Sequence, residues 1–114
     1  KSKVMNIIGN VKDKTCIMVD DIIDSGGTIV NAAKALKIRG AKNVYVYVTH
    51  GVLSGEAVQK IKKSLIKKLV ITDSIDNITK VKRVQNIEVL TISNLMGEAI
   101  KRISNSTSVS DLFK

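Results

Sequence analysis

The chain has 114 residues, 44% of them hydrophobic, which suits one domain and leaves no room for a second. Nineteen lysines and arginines against ten acids give a net charge of +9, yet the aromatic residues are only two tyrosines and one phenylalanine. Because Tyr45 and Tyr47 fall in a strand that we expect to be buried, no platform for stacking bases is left, and we expect no nucleic-acid partner.

Short apolar runs alternate with helical patterns along the chain. Gly40 follows the first helical pattern as a helix-ending residue. Alternation of this kind predicts an α/β fold with a mainly parallel sheet flanked by helices, and ligands of such sheets bind at the carboxyl ends of strands, where the strand order reverses. The predicted strands are residues 4–8, 15–19, 43–49, 68–73 and 87–92; the predicted helices are residues 28–39, 55–64 and 94–104, with a loop through residue 80.

The strongest functional signal is CIMVDDIIDSGGT, residues 16–28, where an apolar strand runs into a glycine-rich turn and a helix. Gly26 and Gly27 permit a tight turn with positive φ and close approach of a ligand. Ser25 and Thr28 add hydroxyls and N–H groups at the N-terminus of the helix, where phosphate binds. A helix merely capped by Asp24 or Ser25 is the alternative, but the strand, turn and helix context favours a phosphate site.

Three acids, Asp20, Asp21 and Asp24, crowd this anion site. Two unit charges about 4 Å apart repel by about 4 kcal/mol at an effective dielectric near 20, so a phosphate here needs a cation or hydroxyl donors. Mg²⁺ and a ribose diol supply both, which makes Asp20 and Asp21 candidate metal ligands. Since side chains alternate along a strand, both can turn toward one ligand only if the strand ends there.

The segment DDIIDSGGT resembles the phosphoribosyl-pyrophosphate motif of the type I phosphoribosyltransferase fold. The stretches VMNIIGNV, THGVLSGEAV, ITDSI and SVSDLF are similar to the C-terminal half of ribose-phosphate pyrophosphokinase, so the resemblance covers essentially the whole chain. Together with the missing initiator methionine, it implies that residues 1–114 are one domain of a two-domain enzyme without its N-terminal half. We expect the chain alone to be inactive, because the resemblance implies that most of the ATP site and the catalytic loop lie in the other half.

In that family a diphosphoryl group passes from ATP to the anomeric hydroxyl of ribose 5-phosphate, with Mg²⁺, giving phosphoribosyl pyrophosphate and AMP. The resemblance also implies a homo-oligomer, hexameric in the full-length enzyme, with ADP or phosphate as effectors. Carried over by position, Asp20 and Asp21 would face the ribose hydroxyls. The 5-phosphate would be held by Asp24, Ser25, Gly26, Gly27 and Thr28.

Two other functions remain open. A base-transferring phosphoribosyltransferase would use the same pocket but consume the product, and the THGVLSGEA and SVSDLF stretches argue against it. A non-catalytic regulatory paralogue would keep the fold and the interfaces while restraining the active enzyme.

Polar residues after two further predicted strands are candidates for the same pocket. Ser54 and Gly55 precede a helix, and residues 72–74 (Thr, Asp, Ser) could contact a diphosphate, although both sets also suit helix caps and turns. His50 is the only histidine and has no histidine or cysteine neighbours with which to build a metal site. We therefore expect His50 to order a loop.

The tail SNSTSVSDLFK is polar, and from composition we expect it to be disordered. The resemblance implies that Ser108, Ser110 and Phe113 contact an effector at an inter-subunit site.

The single cysteine, Cys16, excludes an internal disulfide, and we expect it to be a small buried hydrophobic residue. The sequence also shows no signal segment and no apolar run near eighteen residues. We therefore expect a cytoplasmic protein without a membrane partner.

Overall fold

A four-stranded parallel sheet organises the computed structural model, which describes residues 6–114. Helices connect the strands, which confirms the predicted α/β class. The order of strands in the sheet follows the chain, β1-β2-β3-β4. The elements are β1 Thr15–Ile23, α1 Gly27–Ile38, β2 Asn43–Gly51, α2 Ala57–Lys62, β3 Lys68–Thr72, α3 Ile78–Val81, β4 Ile87–Leu90, α4 Ser93–Ser104 and a 3-10 turn Ser110–Phe113.

One face of the sheet carries the hydrophobic core. Consecutive parallel strands joined by right-handed crossovers place their connecting helices on the same face. Strand and helix side chains that are buried together on that face include Val44, Val46, Leu69, Ile71, Ala33, Ala57, Ile61 and Val81. Cys16 is half-buried and packs against this core, in line with its expected structural role.

The opposite face is not covered by any described helix. Val19 is 78% exposed there, and Ile17, Tyr47 and Leu90 are also exposed. The expectation that the strand with the two tyrosines is buried is therefore wrong for Tyr47, because β2 is buried on one face only. Tyr45 is half-buried.

The first helix ends as the sequence predicts. Gly40 has φ +94°, its N–H donates to the carbonyl of Lys37, and the N–H of Ala41 donates to the carbonyl of Leu36. These two bonds form a Schellman motif, which satisfies carbonyls that the helix end would otherwise leave unpaired.

Helix α4 and the 3-10 turn contribute no side chain to the core. Helix α4 has no buried residue, and the apolar side chains of Leu95, Met96, Ile100 and Ile103 are exposed. The tail was expected to be disordered, but Ser110–Phe113 forms a 3-10 turn. Among the described residues, no helix is both long and apolar enough to span a membrane.

Several boundaries differ from the prediction. Strand β1 runs to Ile23 rather than residue 19, and the loop expected through Lys80 contains α3. Residues 6–8 belong to no strand, and the remainder of the strand predicted at residues 4–8 lies outside the described residues. The four described strands show no reversal of order, so the expected switch point is not found among them.

Candidate functional site

An open hollow of about 270 Å³ lies at the carboxyl end of β1. Its volume is near the lower limit of about 300 Å³ that is typical of small-molecule sites. Apolar walls come from Ile22, Ile23 and Ile29. The structure brings together five of the seven predicted ligand residues in this hollow: Asp20, Asp24, Ser25, Gly26 and Thr28.

The turn into α1 supplies the polar end of the hollow. Gly26 precedes the helix with φ +83°, a conformation that glycine adopts without the strain of a side chain, and its carbonyl accepts the N–H of Val30. No side chain caps this helix, and its first turn holds no acid. The N–H groups of the first turn are therefore available to an anion.

The two glycines have different roles. Gly26 has the positive φ that the sequence predicts, whereas Gly27 does not, so that part of the expectation is wrong. A Cβ on Gly27 would meet no atom within 4 Å. Gly27 therefore leaves open space at the first residue of the helix, which suits the close approach of a ligand.

The strand separates the two adjacent acids. Because β1 continues to Ile23, Asp20 and Asp21 both lie inside it and their side chains point to opposite faces. Both residues are exposed, but only Asp20 lines the hollow. The Asp20 Oδ1 accepts the backbone N–H of Asp21 at 2.8 Å.

Neither the two acids of the hollow nor Asp21 has a cationic partner within the described chain: residues 6–114 place no lysine or arginine in an ion pair with Asp20, Asp21 or Asp24. The described residues also contain no group of three or more metal-ligating side chains. Mg²⁺ is commonly held by one or two carboxylates together with substrate phosphate oxygens. Asp20 and Asp24 fit that donor set, and Asp21 does not share it.

The loop after β2 contacts the back of the candidate turn. The N–H groups of Val52 and Leu53 donate to the carbonyl of Ile23, at 2.9 and 3.2 Å, and the N–H of Ser54 donates to the carbonyl of Asp24 at 3.1 Å. The turn is therefore fixed by backbone bonds from a neighbouring strand end. Sequence reasoning missed this support, because backbone bonds between distant segments leave no residue-type signal.

The loop after β3 is bonded to the end of β2. His50 Nδ1 and Ser74 Oγ are 2.7 Å apart, and Thr72 Oγ1 donates to the carbonyl of Thr49 at 2.7 Å. His50 therefore orders a loop, as expected. Neither Thr72 nor Ser74 lines the hollow, so the structure supports their interpretation as turn residues.

The phosphoribosyl synthetase-associated domain family matches residues 1–114, which is the whole chain. A match of that extent decides the family. The chain belongs to the phosphoribosyl synthetase-associated domain family.

Related proteins agree with this family. The chain is 58% identical over 113 residues to a ribose-phosphate pyrophosphokinase of Hyphomonas neptunium and 54% identical to one of Rhizobium meliloti. Each match covers 99% of this chain and 36% of the relative. The chain therefore spans about a third of the length of the curated relatives that it matches.

A solved structure has the same fold. The crystal structure of phosphoribosylpyrophosphate synthetase from Mycobacterium smegmatis is similar with a TM-score of 0.85 and 38% sequence identity. The similarity covers 93% of this chain and 35% of that one.

The C-terminal residues of this family member form a local network of hydrogen bonds. Ser108 Oγ and Ser110 Oγ are 2.8 Å apart, and Arg102 Nη1 donates to the carbonyl of Ser108 at 3.0 Å. Phe113 is 73% exposed. Of the three residues predicted to contact an effector, Ser110 and Phe113 lie on the 3-10 turn and Ser108 lies two residues before it.

Asp73 joins the end of β3 to the segment between β4 and α4. Its Oδ1 accepts the backbone N–H of Ile92 at 2.9 Å, and this bond is the main cause that lowers the pKa of Asp73 below its ordinary value of 3.8, with a smaller contribution from the nearby Thr91 hydroxyl. A carboxyl whose pKa is lower in the folded state contributes stability above its unfolded pKa and loses it as pH falls through the folded pKa.

We expect Asp73→Asn to flatten the acid side of the stability curve, because the amide oxygen still accepts the Ile92 N–H but does not titrate. Urea unfolding of both proteins from about pH 7 to about pH 3 measures this difference. The two curves should converge as pH falls below about 4. Curves that stay parallel through the acid range would contradict this role of Asp73.

Proposed function

We propose that this chain is the ribose 5-phosphate-binding domain of a ribose-phosphate diphosphokinase. In the proposed reaction the anomeric oxygen of ribose 5-phosphate attacks the β-phosphorus of ATP. The bond from the β-phosphorus to the oxygen that bridges it to the α-phosphorus breaks, AMP leaves with that oxygen, the anomeric hydroxyl releases its proton to solvent, and phosphoribosyl pyrophosphate is formed. The ATP site and the catalytic loop are assigned mostly to residues outside this chain, so we expect the chain alone not to turn over.

The observation that carries the proposal is the hollow at the end of β1. It combines the uncapped N-terminus of a twelve-residue helix, an anion-attracting feature, with two hydroxyls and two carboxylates. A phosphorylated sugar matches this set, since its phosphate accepts hydrogen bonds while its diol donates them to carboxylates. The names of the relatives favour diphosphoryl transfer over base transfer.

In this proposal Ser25, Thr28 and the N–H groups of the first turn of α1 bind the 5-phosphate. Asp20 accepts hydrogen bonds from the ribose hydroxyls. Mg²⁺, when bound, would neutralise phosphoryl oxygens, and Asp20 and Asp24 are the residues that would hold it. Asp21 lies on the other face of β1 and does not line the hollow, so we assign it no contact with the ligand.

The wider assignments belong to the same proposal. They are a cytoplasmic homo-oligomer, hexameric at full length, and an effector site for ADP or phosphate at Ser108, Ser110 and Phe113. The ordered turn at the end of the chain supports the effector site. The expected position of the chain at the C-terminal end of the longer enzyme stays a prediction, as does its description as a single domain.

Titration of ribose 5-phosphate into the chain, with and without Mg²⁺, tests the site. We expect Thr28→Ala to weaken binding in both conditions by about 1.5 to 3 kcal/mol, roughly ten- to a hundredfold in Kd, because a hydrogen bond to a charged group is lost. We expect Asp24→Ala to weaken binding chiefly when Mg²⁺ is present. The reason is that without the ion its carboxylate repels the phosphate.

Thr79→Ala is the matched control. Thr79 is exposed on α3 and lies outside the hollow, so its removal should leave the Kd unchanged. With Mg²⁺ present, binding by the Thr28 and Asp24 variants within a factor of two of the wild type would contradict the site.

A further inference from the structure

A second segment supports the candidate site from a distance. Asn77 lies just before α3 and is 6% exposed, and it is the only buried polar side chain among residues 6–114. Its Nδ2 donates to the carbonyl of Gly51 at the end of β2. Three residues later, Lys80 Nζ donates to the carbonyl of Leu53 at 3.1 Å. Both side chains thus bind the backbone of one loop, residues 51–54, which we call the support loop.

The support loop in turn holds the phosphate-binding turn. It donates three N–H groups to the carbonyls of Ile23 and Asp24, the residues directly before Ser25. Its third residue, Leu53, has φ +52° and a fully buried side chain. Left-handed backbone is strained at a leucine, so this conformation persists only where surrounding contacts impose it. Asn77 and Lys80 provide such contacts.

We propose that Asn77 and Lys80 are positioning residues for the sugar-phosphate site, an inference that rests on the proposed function. They fix the carbonyls of Gly51 and Leu53, the support loop fixes Asp24, and Asp24 sets the direction of the turn that follows. Hydrogen-bond donors bind a charged ligand strongly when they are held in place before it arrives. Asn77 and Lys80 therefore raise ligand affinity without touching the ligand.

Asn86 offers a matched control for Asn77. It is also an asparagine whose Nδ2 donates to backbone carbonyls, those of Ile61 at 2.8 Å and Ile66 at 3.1 Å. It lies immediately before β4, at the amino end of the strands. It does not bind the support loop and does not line the hollow. A purely structural role for Asn77 predicts the same consequences for both alanine variants.

The experiment compares Asn77→Ala with Asn86→Ala by calorimetric titration of ribose 5-phosphate and by amide hydrogen exchange of Ser54. We expect the Kd of the Asn77 variant to rise about tenfold, as the loss of about one buried hydrogen bond implies, and its Ser54 amide to exchange faster. In the Asn86 variant we expect a Kd within a factor of two of the wild type and unchanged Ser54 exchange. Equal effects in the two variants, or no effect in either, would overturn the inference.

Lys80→Met covers the case in which the Asn77 variant does not fold. It removes only the bond to Leu53, and Lys82→Met, a neighbouring exposed lysine, controls for the lost charge. We expect faster Ser54 exchange and a Kd about threefold higher for the Lys80 variant alone. If the wild type binds no ribose 5-phosphate, the proposed function fails. The rate of Ser54 amide exchange then decides whether Asn77 and Lys80 hold the support loop in place. Wild-type exchange in the Lys80 variant would count against that role.

Discussion

Replacement of Gly51 by alanine is expected to destabilise the folded chain by about 1 to 3 kcal/mol. The added Cβ would lie 2.8 Å from Cδ1 of Ile71 and 3.4 Å from its Cγ2. Ile71 is 1% exposed in the core, so neighbouring side chains limit its ability to move away. The glycine is thus required by close packing rather than by its own φ, which is not positive.

A second substitution identifies the atom responsible. Ile71→Val removes Cδ1, the atom nearest to the added methyl group, and alone should cost about 0.5 to 1.5 kcal/mol. We therefore expect the double variant to be more stable than the sum of the two single losses predicts. Urea unfolding of the wild type and the three variants gives the coupling free energy. Strict additivity would show that the contact with Ile71 is not the cause.

Truncation of Leu69 to alanine is expected to cost about 2 to 5 kcal/mol, the other large effect on stability. Leu69 is fully buried in β3, between the strand partners Val46 and Ile87, on the face that the helices cover. Removal of its isobutyl group leaves a cavity that the surrounding strands cannot close, and the lost transfer free energy adds to the cavity term.

Leu90→Ala is the matched control on the other face of the same sheet. Leu90 is 50% exposed in β4, so its truncation removes much less buried area, and we expect a loss below about 1 kcal/mol. Denaturant unfolding of both variants measures the difference. Losses of similar size would contradict a core that lies on one face only.

Local patterns predicted most of the fold. The first helix was predicted within one residue at either end, because its apolar spacing and Gly40 are signals contained in the segment itself. The end of β1 was not predicted correctly, because two adjacent aspartates resemble the end of a strand. In the structure the backbone pairing with β2 continues past them to Ile23. Helix α3 has four residues, too short for a periodic signal.

The candidate site, like the fold, could be predicted from the sequence only in part. The turn residues that line the hollow are nearly contiguous in the chain, so a local motif predicts them. The separation of Asp20 from Asp21 depends on where the strand ends, which tertiary pairing decides. Asn77 lies 26 residues along the chain from Gly51, whose carbonyl it binds, so no local motif indicates its role.

The asymmetry of the sheet affects how the isolated chain responds to heat and denaturant. Both the heat capacity change and the denaturant m-value of unfolding scale with the surface that becomes exposed. A chain that shields only one side of its strands exposes less new surface than a two-sided domain of equal length. We therefore expect a broader melting transition and a flatter stability curve than for a domain of equal length that is covered on both faces, so a shift of a few degrees in Tm should correspond to a smaller free-energy change.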